Sequence, residues 1–476
     1  MKNWNLSLAR HLALVAVAST VFSACKDSPS VPELNNIPAD ILTNGMDKQS
    51  AQLLMTGLLD RDRGSIDQRY MVFSSTMSRD IYRLDSAEPR YVTEILVAAP
   101  DAGGFVGGSA FTNFFSVIRT ANTLLDGLPT TKRSELAPQF QLNDAQIAGA
   151  AGVAQTIKAQ AYWHAIEMRD TLGIPIDLDK PFGADLSPFV CKKNVLTYIA
   201  NVLDSAQTNL NAAGSSFFFP LPAGFTAAQA GIDFNTPAKF LTYNRGLKAK
   251  VELYRGLAGD ASAYARATTA LAASFVNPTL SLQTGPVYTY SNAANETTNP
   301  TFDNNIFANP KAKAALQAGD TRAAKFATGS STRYGFTGNP RLEATRTAVA
   351  GNQIKNRRIL SNEELILIRA QIKIEQNDLV GATADINSVR TQYGLTAIGV
   401  PATKTAAIDA VLYEKRYSLF FEGAQRLVDL RAYGRFNATY LTPESANGST
   451  DPFVSMLPIP KAELDQRGGN AAKTCS

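Results

Sequence analysis

Apolar residues recur at helical spacing along most of the chain. In "FTNFFSVIRTANTLLDGL", Phe111, Phe114, Phe115, Ile118, Ala121 and Leu125 fall on one face, and Gly127 is placed to stop the helix. "VAQTIKAQAYWHAIEMRDTLG" repeats the pattern through Ile157, Ala161, His164, Ala165 and Met168. "KKNVLTYIANVLDSAQTNL" and "PAKFLTYNRGLKAKVELYRG" read as two further helices. The second opens on Pro237, whose missing N–H has no partner to lose in a first turn.

A weak repeat lies within this pattern. "YRGLAGDASAYARATTAL" and "IKIEQNDLVGATADINSV" share a turn dipeptide, Gly259-Asp260 in one and Asn377-Asp378 in the other. Tyr264 and Ala382 follow the two aspartates at the same offset, and so do Leu271 and Val389, on one helical face. A helix, a tight turn and a second helix with small residues at the contact is a tetratricopeptide-type hairpin, although the full consensus is absent. Two segments break the period. "RDIYRLDSAEPRYVTEILVAAPDAGGFVGG" covers 79–108, and a stretch rich in Asn, Thr, Gly and Pro with scattered aromatics covers about 275–356. Long irregular segments on a rigid scaffold are where ligands are held; the alternative is ligand-free surface loops. The expected fold class is therefore mainly α: a tetratricopeptide-like helical hairpin scaffold whose irregular insertions form a ligand-binding face.

Composition narrows the function classes. An apolar fraction of 45% and a charged fraction of 18% in 476 residues fit a folded chain with a sizeable core. The formal charge of +5 includes Lys2 and Arg10; without them it is 5 − 2 = +3, with no basic block, which argues against nucleic acid. The histidines are His11 and His164 alone, too few for the usual zinc sets or for a placeable triad, and no phosphate-cradling glycine motif is present. We expect neither metal nor cofactor.

The first residues read as an address. Lys2 and Arg10 precede an apolar stretch from Leu12 to Phe22, then Ser23 and Ala24, then Cys25: a secretion signal over 1–24, too short to span a membrane. "FSAC" resembles the bacterial lipobox, which would make Cys25 the lipidated first residue, with ordinary secretion as the alternative. Residues 25–36 then form a tether and 37–476 a single domain. For Cys191 and Cys475 we expect two unpaired thiols, with a bridge as the alternative in an oxidising compartment.

"YEKRYSLFFEGAQRLVDLRAYGRF" packs charge among aromatics. Arg416, Glu422, Arg426, Asp429 and Arg431 flank a glycine able to end a helix, an arrangement suited to a structural clamp between two helices. The alternative is a catalytic pair, Glu414 and Glu422. On one helix they would stand roughly 12 Å apart along the axis, too far for a glycosidase pair.

The residues together resemble a known family, the SusD/RagB outer-membrane lipoproteins. "SVIRTANTLLDGL" carries Ile118, Ala121 and Asn122; "NRRILSNEELILIRAQIKI" carries Arg358, Glu364, Arg369 and Ala370; "GDTRAAKF" carries Asp320 and Arg322. "MLPIPKAELDQ" resembles the family's Leu-Pro-Ile-Pro turn before a short acidic helix, through Leu457, Pro460 and Glu463. Phe421-Glu422-Gly423 followed by Asp429-Leu430-Arg431 is the most specific match, although "AQRLV" lacks the histidine and aromatics common there.

The resemblance implies a non-catalytic protein, lipid-anchored through Cys25 to the outer membrane and facing the cell exterior. It would bind nutrients, a glycan first and a peptide as the alternative, and hand them to a SusC/RagA-like TonB-dependent transporter. Aromatic faces would meet sugar rings while polar groups bond hydroxyls. On that basis the candidate ligand residues are Tyr82, Arg83, Tyr91, Phe105, Tyr288, Tyr290, Asn292, Arg333, Tyr334 and Phe336. A secreted hydrolase and a purely structural surface scaffold are the rival readings.

Overall fold

Asp47 opens the first helix, α1 (Lys48–Ser65), by accepting from the Ser50 N–H at 2.7 Å. It stands at the start of a computed structural model that describes residues 45–176, 178, 185–294, 296–446 and 448–468. The leader, Cys25, the tether and Cys475 lie outside the described residues. After α1 come α2 (Gln68–Met77), β1 (Ile81–Arg83), α3 (Arg90–Leu96), α4 (Ser109–Gly127), α5 (Asp144–Arg169) and α6 (Lys192–Ala212). The Asn143 side chain and Gln146 close a reciprocal cap at the head of α5, which satisfies two otherwise orphaned N–H groups.

α4 packs against both α1 and α5, and this moves its buried stripe. Phe111, Phe114, Ile118 and Ala121 are buried as expected, but Val117 and Leu124 join them, while Phe115 and Leu125 are only half-buried. Two neighbours demand a wider apolar arc than one. Gly127 does not stop α4 by a left-handed turn; its φ is −80° and a 3₁₀ turn, Leu128–Lys132, continues the chain. The missing side chain there makes room for Met46, whose Cε lies 2.2 Å from where a Cβ would stand.

The repeat is real. After α7 (Ala227–Ala230), α8 (Pro237–Leu257) and α9 (Ala263–Ala272) form one hairpin. Beyond α10 (Pro310–Ala314), α11 (Asn362–Glu375) and α12 (Leu379–Arg390) form the other. Gly259 and Asn377 occupy the left-handed region at φ +101° and +64°, the conformation their residue types tolerate best. At Gly256 a Cβ would stand 2.3 Å from the Tyr264 ring, so α8 and α9 touch through a glycine. The second hairpin packs Ile366, Leu367, Ala370, Ile374, Ala382 and Ile386 against Ala407 and Val411 of α13 (Lys404–Ser418). α14 (Gln425–Ala432) and α15 (Lys461–Gln466) complete the helices, the latter following the Leu-Pro-Ile-Pro turn. That turn is stitched to the end of α5, Leu457 N–H donating to the Met168 carbonyl at 2.8 Å and the Arg169 guanidinium to the Leu457 carbonyl at 2.9 Å.

The two interruptions are less irregular than their composition suggests, because they pair with each other. β1 runs antiparallel to β3 (Ile306–Ala308), with Tyr82 opposite Phe307. β3 continues through β7 (Arg341–Leu342) to β4 (Phe326–Ala327), giving the order β1-β3-β7-β4. A hairpin, β5 (Ser331–Arg333) and β6 (Phe336–Gly338), stands beside this sheet, and β2 (Val287–Tyr288) pairs with β8 (Arg357–Arg358). Cys191 is disulfide-bonded. This corrects the expectation of unpaired thiols and fits an oxidising compartment.

Candidate functional site

A cleft of about 790 Å³ opens where the second insertion returns to the helices. Its floor is built by β8 and by the Phe-Glu-Gly turn after α13. Phe421 and Gly423 are both left-handed, at φ +59° and +123°. For phenylalanine that conformation is strained and persists only where surroundings enforce it. It turns the Glu422 carboxylate onto Arg358, whose Nε donates at 2.7 Å and whose Nη2 also contacts it. Burial opposes the charge on Glu422, but Arg358 and Lys325 outweigh it and hold the carboxyl below its ordinary range.

Lys325 stands on the adjoining wall. Its Nζ donates to the Ser418 carbonyl at 2.6 Å and lies 3.7 Å from Glu422. The side chain keeps 29% of its exposure, yet desolvation of the amine, only partly offset by Glu422, pushes its pKa down to about 8. Arg357 is unlike its neighbour. Its guanidinium takes part in no described ion pair; Nη2 faces the Met71 sulfur and Nη1 is buried without a partner. Tyr393 and Phe420 supply ring surface, and Gln229, Gln283 and Asn356 supply amides, of which Gln229 and Gln283 are exposed.

Glu414 and Glu422 are not a pair. Glu414 sits on α13, buried against Arg322 at 2.7 Å and Arg390 at 2.9 Å, while Glu422 belongs to the turn and to Arg358. Arg322 is also held by Asp320 at 2.7 Å and lies over the Tyr393 ring at 4.7 Å. The proposed clamp residues act differently from expectation, since none pairs with another of the five among the described ion pairs. Arg416 and Arg426 both reach Asp80, at 2.8 and 3.2 Å, tying α13 and α14 to the end of α2. Arg431 donates to the carbonyls of Glu167 and Ser455. Asp429 alone joins α14 to α13, through Lys415 at 2.7 Å, and it also accepts from Tyr254 at 2.7 Å. The arginines reach past their own helix pair because their long arms span to whichever carbonyls and acids the fold brings near.

The ten candidate ligand residues divide. Arg83, Tyr91, Phe105 and Tyr334 come together. The Arg83 guanidinium lies 4.1 Å from the Tyr91 ring centre, Tyr91 is 5.0 Å from Phe105, and Arg83 pairs with Asp303 at 2.7 Å and Asp85 at 2.9 Å. Tyr334 donates to the Asp85 carbonyl at 2.7 Å. Phe105 is half-buried and carries Arg90 at 4.0 Å on its face.

Tyr82 and Phe336 are buried against each other at 5.5 Å, serving as the small sheet's core. Tyr288 is buried in a network with Asp62 and Gln160, and Tyr290 is buried with its hydroxyl unpartnered. Asn292 and Arg333 are exposed. A strand-bearing insertion needs apolar mass of its own, and its aromatics provide it.

None of the ten lines the cleft. Sequence reasoning missed Lys325, Arg357, Tyr393 and the amides there. The visible signal was the Arg357-Arg358 doublet just ahead of the Ser361 cap of α11, where two adjacent strand residues must point to opposite faces.

Neither a protein-family model nor a curated protein matches the sequence. Solved structures do. A SusD-like carbohydrate binding protein from Bacteroides vulgatus ATCC 8482 superposes with a TM-score of 0.65 at 14% identity, over 89% of this chain and 97% of that one. Surface glycan-binding protein A from Bacteroides thetaiotaomicron gives 0.65 at 14%, over 89% and 98%. A SusD superfamily protein from Bacteroides fragilis NCTC 9343 gives 0.64 at 16%, over 90% and 99%. The chain thus has the SusD-superfamily fold, mainly helical with tetratricopeptide-like hairpins, as its sequence led us to expect.

Proposed function

We propose that this protein is a non-catalytic outer-membrane lipoprotein that captures extracellular glycans. Residues 1–24 are its leader, Cys25 with 26–36 its lipidated tether, and 37–476 its binding domain. The observation that carries the reading is the fold, shared over nine-tenths of the chain with solved proteins described as carbohydrate- or glycan-binding. Two surfaces suit such a ligand. The ledge of Arg83, Phe105 and Tyr334, with Tyr91 buried against Arg83, offers half-buried rings beside charged hydrogen-bonding groups. The cleft offers amides, Tyr393 and Phe420 around a volume fit for a short oligosaccharide. Among the described residues no helix is long and apolar enough to cross a membrane, which is compatible with anchoring through Cys25. A SusC/RagA-like TonB-dependent barrel is the partner that would carry the ligand inward.

The hydrolase reading gains no support from Glu414 and Glu422, each committed to arginine at a different place. The test is to screen the mature protein on a glycan array, confirm hits by calorimetry, and follow the bound saccharide by chromatography. Saturable binding with no new reducing ends is expected. Cleavage of the saccharide, or no glycan bound at all, overturns the proposal.

A further inference from the structure

The chain has three cysteines, Cys25, Cys191 and Cys475, and Cys191 is disulfide-bonded. Within one chain its partner is therefore Cys25 or Cys475. A succession of contacts leads the C-terminal run toward Cys191. The Leu457 N–H donates to the Met168 carbonyl at 2.8 Å, and the Thr171 hydroxyl meets the Met456 sulfur at 3.5 Å. Further on, Arg467, held by Glu463 at 2.6 Å, lays its guanidinium over the Phe189 ring at 4.7 Å. Phe189 stands two residues before Cys191, beside Val190, which pairs with Ile174. Cys475 follows Arg467 by eight residues, a length that reaches roughly 26–29 Å when extended. The two sulfurs can therefore meet without moving any described element.

We propose that Cys191 is bonded to Cys475, stapling the end of the chain to the head of α6. The choice against Cys25 rests partly on the lipid-anchor reading above, because a cysteine whose sulfur bears a lipid has no thiol left to pair. The contacts along the C-terminal run point to Cys475 independently of that reading. Closing the bridge takes two protons and two electrons from the two thiols. A disulfide-bearing oxidoreductase of the cell envelope accepts them by thiol–disulfide exchange and leaves as a dithiol. A cross-link between residues so far apart in sequence removes much of the unfolded chain's freedom. It also secures α15, whose Lys461 N–H donates to the Ala102 carbonyl at 2.7 Å and which packs against the Gly104–Gly108 turn. That turn carries Phe105, so the bridge braces the ledge from behind.

The test is to express the full chain, leader included, in a bacterium that processes lipoproteins, extract it with iodoacetamide present, and map its tryptic peptides before and after reduction. The peptide that ends at Lys192 should appear joined to Thr474–Ser476 without reduction and separate from it afterwards. Cys475→Ser should leave the Cys191 thiol open to alkylation and lower the melting temperature by about 3 °C or more. Cys475 alkylated without reduction, or a covalent dimer, overturns the inference. An unchanged melting temperature in the variant overturns the bracing role. Cys191 joined to Cys25 sinks the inference and the lipid anchor together. The N-terminal peptide of the same digest reads the anchor by itself: Cys25 without lipid, beside an intact bridge from Cys191 to Cys475, sinks the anchor and upholds the bridge.

Discussion

The helices and the cleft that adjoins them treat charge differently. Between the helices, buried ions such as Lys415 and Lys250 are paired with Asp429 at 2.7 Å and Glu364 at 3.0 Å. Along the cleft, Lys325 shares the Glu422 carboxylate with Arg358 and keeps 29% of its side-chain exposure. A framework that must hold one shape satisfies its polar groups internally, because an unmet buried charge would favour other arrangements. A surface that must receive something keeps groups in reserve.

That contrast can be broken most forcefully at Lys415. Lys415→Ala leaves the buried Asp429 carboxylate without its cation, and removing one partner of a buried ion pair costs about 3–5 kcal/mol. Chemical denaturation should show that loss; a change under 1 kcal/mol would mean the scaffold's ion pairs are not structural.

Asp62 sharpens the same point through pH. Buried with Tyr288 and Gln160, its carboxyl is pushed up by desolvation to about 6. The native state then holds this proton more tightly than the unfolded chain does. Its contribution is fully present below the unfolded value near 4 and is lost as pH rises through about 6. The gap of roughly two units corresponds to about 2–3 kcal/mol. Thermal unfolding of Asp62→Asn should therefore gain on wild type as pH is raised from 4.5 to 7.5; parallel curves would refute the shift.

A smaller effect is expected at the α8–α9 contact. Gly256→Ala drives a methyl into the Tyr264 ring and should cost about 1–3 kcal/mol, read as a lower denaturant midpoint. Least of all should follow from Lys325→Gln. If this residue is held for a ligand and not for the fold, its loss should move stability by under about 1 kcal/mol. A large destabilisation would place Lys325 with the scaffold and erase the contrast.

The hairpins were legible because their signals are local. Gly259 and Asn377 are turn residues at matching positions, and Ala382, Leu271 and Val389 show their faces within one helix length. The helix over 109–127 was legible too, although its neighbours on two sides moved the buried stripe from Phe115 and Leu125 to Val117 and Leu124. The aromatic candidates were harder. A tyrosine in an Asn- and Thr-rich stretch looks like a ligand contact, and only pairing β1 with β3 reveals that Tyr82 is core, while Arg83 beside it reaches the ledge.

The amino-acid pattern alone therefore settled the helical class, the two hairpins with their turns, and the place where regular periodicity gives way. It could do so because helix faces, caps and left-handed turns depend on residues a few positions apart. The cleft was decided by tertiary structure. It gathers Gln283, Lys325, Arg357, Tyr393 and Glu422 from points far apart in the chain, and whether a charge there is answered depends on what folds in beside it.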